Sequence, residues 1–172
     1  LSRSTPPLWE TIVGYDNDTN KIWLIGGIEG AIITDIPYNR ILYQLDASTH
    51  VLTPYANLNE DYRCDGQTYV THDRSIYFLN AVYEAQYVDK FNMRTQQITR
   101  FATRSSYSKD PCIAVCSSNL LYIIGGMGND GGYTSDGNTQ ILNLDTGAWD
   151  TPFAAQLNNA RYGASCECVD DF

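Results

Sequence analysis

The chain is short of cations, of histidine and of long apolar runs. Lysine occurs three times in 172 residues (Lys21, Lys90, Lys109) and histidine twice (His50, His72). The formal charge is −9 and the pI is near 4.4. The 11 Lys and Arg residues are dispersed rather than gathered into a stripe. That disfavours binding along a nucleic-acid backbone, which needs clustered cations. No apolar run approaches the roughly 18 residues that span a bilayer, so membrane insertion is not expected. No window sustains a helical period. Catalytic signatures are missing as well: there is no Gly-x-Ser-x-Gly elbow and no His-Glu-x-x-His pair. Gly125-Gly126-Met127-Gly128 follows an apolar run but opens no helix, which removes a dinucleotide reading. With two histidines, both in turn-like stretches, and no paired C-x-x-C, neither a metal nor a cofactor is expected.

What the chain has instead is a long-range repeat. Trp23-Leu24-Ile25-Gly26-Gly27 recurs as Tyr122-Ile123-Ile124-Gly125-Gly126, an offset of 99 from Trp23 to Tyr122. Leu42-Tyr43-Gln44-Leu45-Asp46 recurs at the same offset as Ile141-Leu142-Asn143-Leu144-Asp145. A degenerate copy lies between them, Ile76-Tyr77-Phe78-Leu79 followed by Tyr87 to Asn92. The unit is therefore close to 50 residues. Each copy reads as four short strands separated by polar turns such as Ala47-Ser48-Thr49-His50 and Met93-Arg94-Thr95-Gln96. A period of that length built on four-residue apolar runs predicts an all-β chain of propeller blades.

The pattern resembles the kelch repeat. The matching residues are Gly26-Gly27 and Gly125-Gly126 after the second strand, the turn residues Asp46 and Asp145, and Trp149 after the last turn. Arg63 and Arg161, ahead of the next blade, also fit. The resemblance runs from about Trp9 to Cys168. The middle copy departs from it: Asn80-Ala81 replaces the glycine pair and Ile98 replaces the tryptophan, as Leu52 does in the first copy. The resemblance implies blades at about 8–56, 62–102 and 107–154, with the first strand of another within 161–172. It also implies that the glycines and aromatic residues are scaffold, the glycines bending the backbone where a side chain would meet a neighbouring blade. The arginines would bond carbonyls of the adjoining blade.

Three blades do not close a ring, so the expectation is either a partial or processed chain or copies that complete one another. The five cysteines (Cys64, Cys112, Cys116, Cys166, Cys168) permit at most two internal disulfides. Cys166 and Cys168 fall on one face of a strand and are poorly placed to bond to each other, but both can reach other strands or loops. Small buried thiols are the other reading. The scarcity of lysine, the cysteine load and the N-glycosylation sequon Asn17-Asp18-Thr19 together point to an extracellular or cell-surface location rather than the cytoplasm.

Function is expected in the loops that a rigid scaffold holds. The loops from Ile28 to Arg40 and from Met127 to Thr139 are long, whereas the middle counterpart is short, which predicts a groove at the second blade. The binding candidates are Asp35, Tyr38, Arg40, Arg63, Asn129, Asp130, Tyr133, Asp136 and Arg161. Calcium on the Asn129–Gly132 and Ser135–Asn138 turns is the weaker option, because their spacing matches no EF-hand loop. The leading expectation is a non-catalytic module for protein interaction or self-assembly. The alternative is part of a secreted galactose-oxidase-like enzyme whose active site lies elsewhere. An intracellular substrate adaptor would need a partner helical region that the sequence does not contain.

Overall fold

The computed structural model describes residues 8–29, 38–62, 68–80, 86–104, 108–116, 119–128, 137–150 and 156–169. The chain divides into two compact units, Leu1–Cys64 and Asp65–Phe172. The first holds β1 (Leu8–Trp9), β2 (Ile12–Asp16), β3 (Lys21–Ile25), β4 (Ile28–Glu29), β5 (Ile41–Asp46) and β6 (Val51–Asn57). Strands β2, β3, β5 and β6 form an antiparallel four-stranded meander, and β1 pairs with β4 as a short ribbon.

The second unit holds two more such meanders. One is β7 (Tyr69–His72), β8 (Ser75–Leu79), β9 (Tyr87–Asn92) and β10 (Gln97–Thr103). The other is β11 (Cys112–Cys116), β12 (Leu120–Ile124), β13 (Thr139–Asn143) and β14 (Trp149–Asp150). Among the described residues there is no helix, and none of the three sheets closes into a barrel. The all-β, blade-like character expected from the sequence is what the chain adopts.

Turn chemistry explains why the strands reverse where they do. After the third strand of each sheet an Asx side chain caps the turn. Asp46 Oδ1 accepts from the amides of Ser48 and Thr49, both at 2.9 Å. Asn92 Oδ1 accepts from Arg94 N (3.0 Å) and Thr95 N (2.9 Å). Asn143 Oδ1 accepts from Asp145 N (2.9 Å) and Thr146 N (3.0 Å). Each turn then closes through a left-handed residue: His50, Gln96 or Gly147. The amide of that residue donates back to the carbonyl of the Asx residue at 2.7–2.8 Å. Local side-chain bonding of this kind is what makes Asp and Asn strong turn residues. Between β7 and β8, Asp73 and Arg74 both have positive φ, the backbone of a type I′ hairpin turn.

These registers correct the sequence alignment of the third strand. Lys21 stands opposite Asp46, and Leu120, 99 residues after Lys21, stands opposite Asn143. Asp46 therefore corresponds to Asn143, not to Asp145. A shift of two residues preserves the strand face, so the apolar pattern alone could not detect it.

The core of the second unit lies between its two sheets. Tyr77, Leu79, Val88 and Ala102 meet Ile113, Leu121, Ile123, Leu142 and Leu144, with Val70, Phe101, Val115 and Trp149 packed around them. Trp149 also donates its indole N–H to the Thr103 carbonyl at 2.8 Å, which fastens β14 to the end of β10. The tryptophan thus joins two sheets, with its polar atom satisfied as an aromatic at such a seam requires.

The glycine pairs have a local cause. Gly26 and Gly27 have φ of 62° and 98°, and Gly126 has φ of 113°. A Cβ on Gly26 would lie 2.1 Å from the Tyr62 carbonyl oxygen, and one on Gly126 would lie 2.5 Å from Ser108 Oγ. The amides of Gly27 and Gly126 donate to the carbonyls of Tyr62 (2.7 Å) and Arg161 (2.9 Å). The glycines therefore let the segments that lead into and out of their own sheet approach its end. The clash they avoid is with those segments, not with a neighbouring sheet.

Candidate functional site

In the second unit, β7 and β11 are the terminal strands of their sheets and lie in contact with each other. A strand in that position turns one row of backbone groups away from its own sheet. The C-terminal segment runs beside β11, and its accessibility alternates: Ala164, Cys166 and Cys168 are half-buried, while Ser165, Glu167 and Val169 are exposed. That is the pattern of an extended chain with one face inward.

Two disulfides tie this segment to β11, Cys112–Cys166 and Cys116–Cys168, with Cα separations of 5.8 and 5.4 Å. Cys166 and Cys168 thus share a face and bond to another strand rather than to each other. Cys64 lies outside the described residues.

Between β7, β11 and the segment is a groove with a cavity volume of about 630 Å³. Its floor is Val70, Ile113, Ala114 and Val115, and its wall is Ser165, Cys166, Glu167 and Cys168. The floor side chains are apolar and the wall adds a hydroxyl and a carboxylate, so the exposed surface of the groove is more polar than apolar. Glu167 is the one carboxylate of this lining, and the Ser165 hydroxyl lies two residues away on the same exposed side of the segment. Among the described residues no group of three His, Cys, Asp or Glu side chains is placed to hold a metal. No helix is long and apolar enough to cross a membrane.

The sequence-predicted site residues do not converge on this groove. Tyr38 bridges to Ile28 in the first unit. Arg40 is exposed there and forms a two-pronged ion pair with Asp61, Nε–Oδ1 at 2.5 Å and Nη2–Oδ2 at 3.0 Å. Arg161, in the second unit, is exposed, and its Nε donates to the Asn159 carbonyl at 3.4 Å within its own loop. Among the described residues the Arg161 side chain bonds a carbonyl of its own loop and none of another sheet. Asp35, Arg63, Asn129, Asp130, Tyr133 and Asp136 lie outside the described residues, and with them most of the predicted loop groove. Asn17 is exposed in the turn between β2 and β3, where the Thr19 hydroxyl donates to Asp16 Oδ2 at 2.6 Å.

Two features escaped the sequence reading. Among the described residues the buried arginine is Arg104, not Arg161: its Nε donates to Gln140 Oε1 on β13 at 3.3 Å and its Nη2 to Ser108 Oγ at 3.4 Å. Its position just ahead of the third sheet was the available signal. The second is a polar chain across the tight turns. His72 Nε2 lies 2.9 Å from Asn119 Oδ1, and Asn119 Nδ2 donates to the Asp145 carboxylate at 3.1 and 3.3 Å. It links three turns of two sheets, which gives His72 a structural role.

No family model and no curated protein matches the chain. Among 162 matching chains of solved structures is that of YjhT, at a TM-score of 0.73 and 15% identity. The match covers 97% of this chain and 61% of that one. At this identity the likeness concerns the fold alone. This chain thus spans less than two thirds of the YjhT chain.

Proposed function

We propose that the chain is a non-catalytic kelch-type β-propeller module that works outside the cell by binding protein or by joining further blade-like units. Three successive four-stranded meanders with recurrent Asx turns support the propeller architecture. The two disulfides support an oxidising location, since such bonds persist mainly in secreted and surface proteins. Asn17, exposed in its turn, is the proposed glycan acceptor. An enzyme fragment remains the alternative, but no observation here favours it.

The observation that carries the reading is the groove's chemistry. It combines a floor of apolar side chains, two terminal strands and a disulfide-held wall that adds one hydroxyl and one carboxylate. Such a surface suits an extended or apolar protein element.

The test is the native mass of the oxidised chain, measured by light scattering against its 19.3 kDa. Self-association is expected, with a mass at least twice that value. A monomer that unfolds in one sharp transition would remove the assembly half of the reading. Treatment with an N-glycosidase of chain secreted from a eukaryotic host tests Asn17, and an unchanged mass would remove the glycan.

A further inference from the structure

We infer that the C-terminal segment is the first strand of an incomplete sheet, and that a second polypeptide docks there. The partner donates an extended strand, apolar on both faces, beside 164–169 and over the open face of β12. This rests on the proposed blade architecture and names the place where a further strand joins it.

An antiparallel strand with one face in water alternates apolar and polar residues. The second strands of these sheets do not: β3 reads Lys-Ile-Trp-Leu-Ile and β12 reads Leu-Leu-Tyr-Ile-Ile. Such strands call for cover on both faces, and the core of the second unit shows how cover is supplied. Tyr77 and Leu79 on β8 meet Leu121 and Ile123 on β12. By register Tyr122 is equivalent to Tyr77, and Ile124, two residues on, to Leu79. Leu120, Tyr122 and Ile124 are only half-buried, although Ala114 and Ile141, on either side of Tyr122, are buried. The face of β12 that matches the covered face of β8 is thus the one left partly open. What covers that face in the second sheet is a second strand with apolar side chains two residues apart.

The first strands follow the same rule. β11 lies against β7, and the C-terminal segment lies against β11. The pairs Cys112–Cys166 and Cys116–Cys168 make it run in the direction of β11. Cys112 and Cys116 stand opposite Ile124 and Leu120, so the segment is fastened on the face that carries the open row. Accessibility along 164–169 alternates as in an extended strand, and Cys166 makes a further interaction besides its disulfide. The segment is therefore held in the shape of a strand, yet no strand pairs with it among the described residues. β7 and β11 each pair with the strand that follows them, β8 and β12. The matching partner of the segment runs antiparallel to it and crosses Leu120, Tyr122 and Ile124. A preformed extended edge beside an apolar row is what strand addition uses: backbone bonds give affinity, and alternate side chains give specificity. β3, β8 and β12 are already held in their own sheets, so the donor belongs to another polypeptide.

The probe is a dye-labelled peptide with the sequence of residues 21–27, Lys-Ile-Trp-Leu-Ile-Gly-Gly. Its Ile22 and Leu24 are the equivalents of Leu121 and Ile123. Added to the oxidised full chain, it is expected to bind saturably by fluorescence anisotropy. The peptide carrying Ile22→Lys and Leu24→Lys is expected to bind at least tenfold more weakly, and so is the parent peptide to the chain variant Tyr122→Lys. Amide hydrogen exchange on the unsubstituted chain locates the peptide without any variant. Bound peptide is expected to slow exchange in 164–169 at least fivefold and in β8 less than twofold. No saturation at about 1 mM peptide would overturn the inference. So would equal binding of the lysine-substituted peptide, or protection of β7 in place of the segment, which would put the peptide in the groove. The native mass of the chain alone reports separately on self-assembly. A monomer that binds the peptide keeps this edge and removes self-assembly, whereas an oligomer whose 164–169 amides gain no protection from its own contacts or from the peptide overturns the edge alone.

Discussion

β8 and β12 occupy the same place in the two sheets of the second unit, yet they are buried differently. Every residue of β8 is buried, whereas β12 alternates, with Leu121 and Ile123 inside and Leu120, Tyr122 and Ile124 half-buried. Val70 stands opposite Tyr77 and Ala114 opposite Tyr122, so Tyr77 and Tyr122 are equivalent positions. Tyr77 lies in the shared core at 3% exposure, against Phe101 in an edge-to-face contact of 5.3 Å and beneath the Lys90 ammonium. Tyr122 keeps one side open. β8 is thus buried on both of its faces, and β12 fully on one. On the other face of the third sheet lie the two disulfides, at Cys112 beside Ile124 and Cys116 beside Leu120. Covalent bonds thus fasten that edge where sheet-on-sheet packing is thinner.

The sharpest way to break this comparison is to truncate both tyrosines. Tyr77→Ala removes a fully packed ring and is expected to cost about 4 kcal/mol, in the range for buried aromatics. Tyr122→Ala removes a half-buried ring and is expected to cost about 1 kcal/mol. Chemical denaturation of the oxidised chain measures both. Equal losses would mean that the open face of the third sheet is as tightly packed as the shared core.

The glycines allow the next largest contrast. Gly26 and Gly163 have almost the same backbone, φ of 62° and 60°, but different surroundings. A Cβ at Gly26 meets the Tyr62 carbonyl oxygen, and one at Gly163 meets nothing within 4 Å. Gly26→Ala therefore carries both strain and collision, about 3 kcal/mol, while Gly163→Ala carries strain alone, about 1 kcal/mol. Thermal melts of the two variants check the ratio. Similar melting points would mean that the segment at Tyr62 moves aside without cost.

A smaller effect tests the seam between the sheets. Trp149→Phe keeps most of the ring and loses the bond to the Thr103 carbonyl, for an expected loss of about 1 kcal/mol. The equivalent positions in the other sheets hold Leu52 and Ile98, opposite Leu45 and Phe91 as Trp149 is opposite Leu142. Ile98→Ala and Leu52→Ala lose no such bond. No change in stability for Trp149→Phe would reduce the tryptophan to a space-filling role.

Much of this architecture was legible because it rests on local rules. Runs such as Trp23-Leu24-Ile25-Gly26-Gly27 and its copy mark a second strand and its end, since burial and left-handed glycine leave direct traces in the sequence. The place of Trp149, Ile98 and Leu52 was legible for the same reason. The third-strand register was not. Asn143 and Asp145 are both able to cap a turn, identity favours Asp145, and the backbone uses Asn143. The disulfide partners were not legible either: strand parity put Cys166 and Cys168 on one face, but only the packed fold brings β11 beside them. The candidate site was the least legible part. It is made of strand edges and a covalently held segment, whereas the sequence reading looked for charged loop residues. Tyr38 and Arg40 proved to be engaged within the first unit.

The smallest expected effect separates two roles of one residue. Asp46 caps its turn as Asn92 and Asn143 cap theirs, but it alone carries a charge and pairs with Lys21. The bond from the Lys21 ammonium, helped by the amides of Thr49 and Ser48, holds its carboxyl well below the usual carboxylate range. A group with a depressed folded pKa contributes stability that is present above its unfolded pKa, about 3.9. That contribution is lost as the pH falls through the lower folded value. Asp46→Asn keeps the cap and removes the charge, giving the first sheet the turn residue that the other two already have. Its melting point is expected to lie slightly below that of the parent at pH 6, with the gap closing as the pH drops below about 4. Asp46→Ala removes cap and charge together, so part of its deficit persists at every pH. If Asn and Ala behave alike at pH 6, the ion pair outweighs the cap. If Asn matches the parent across the range, the cap alone sets the turn and Lys21 contributes nothing measurable.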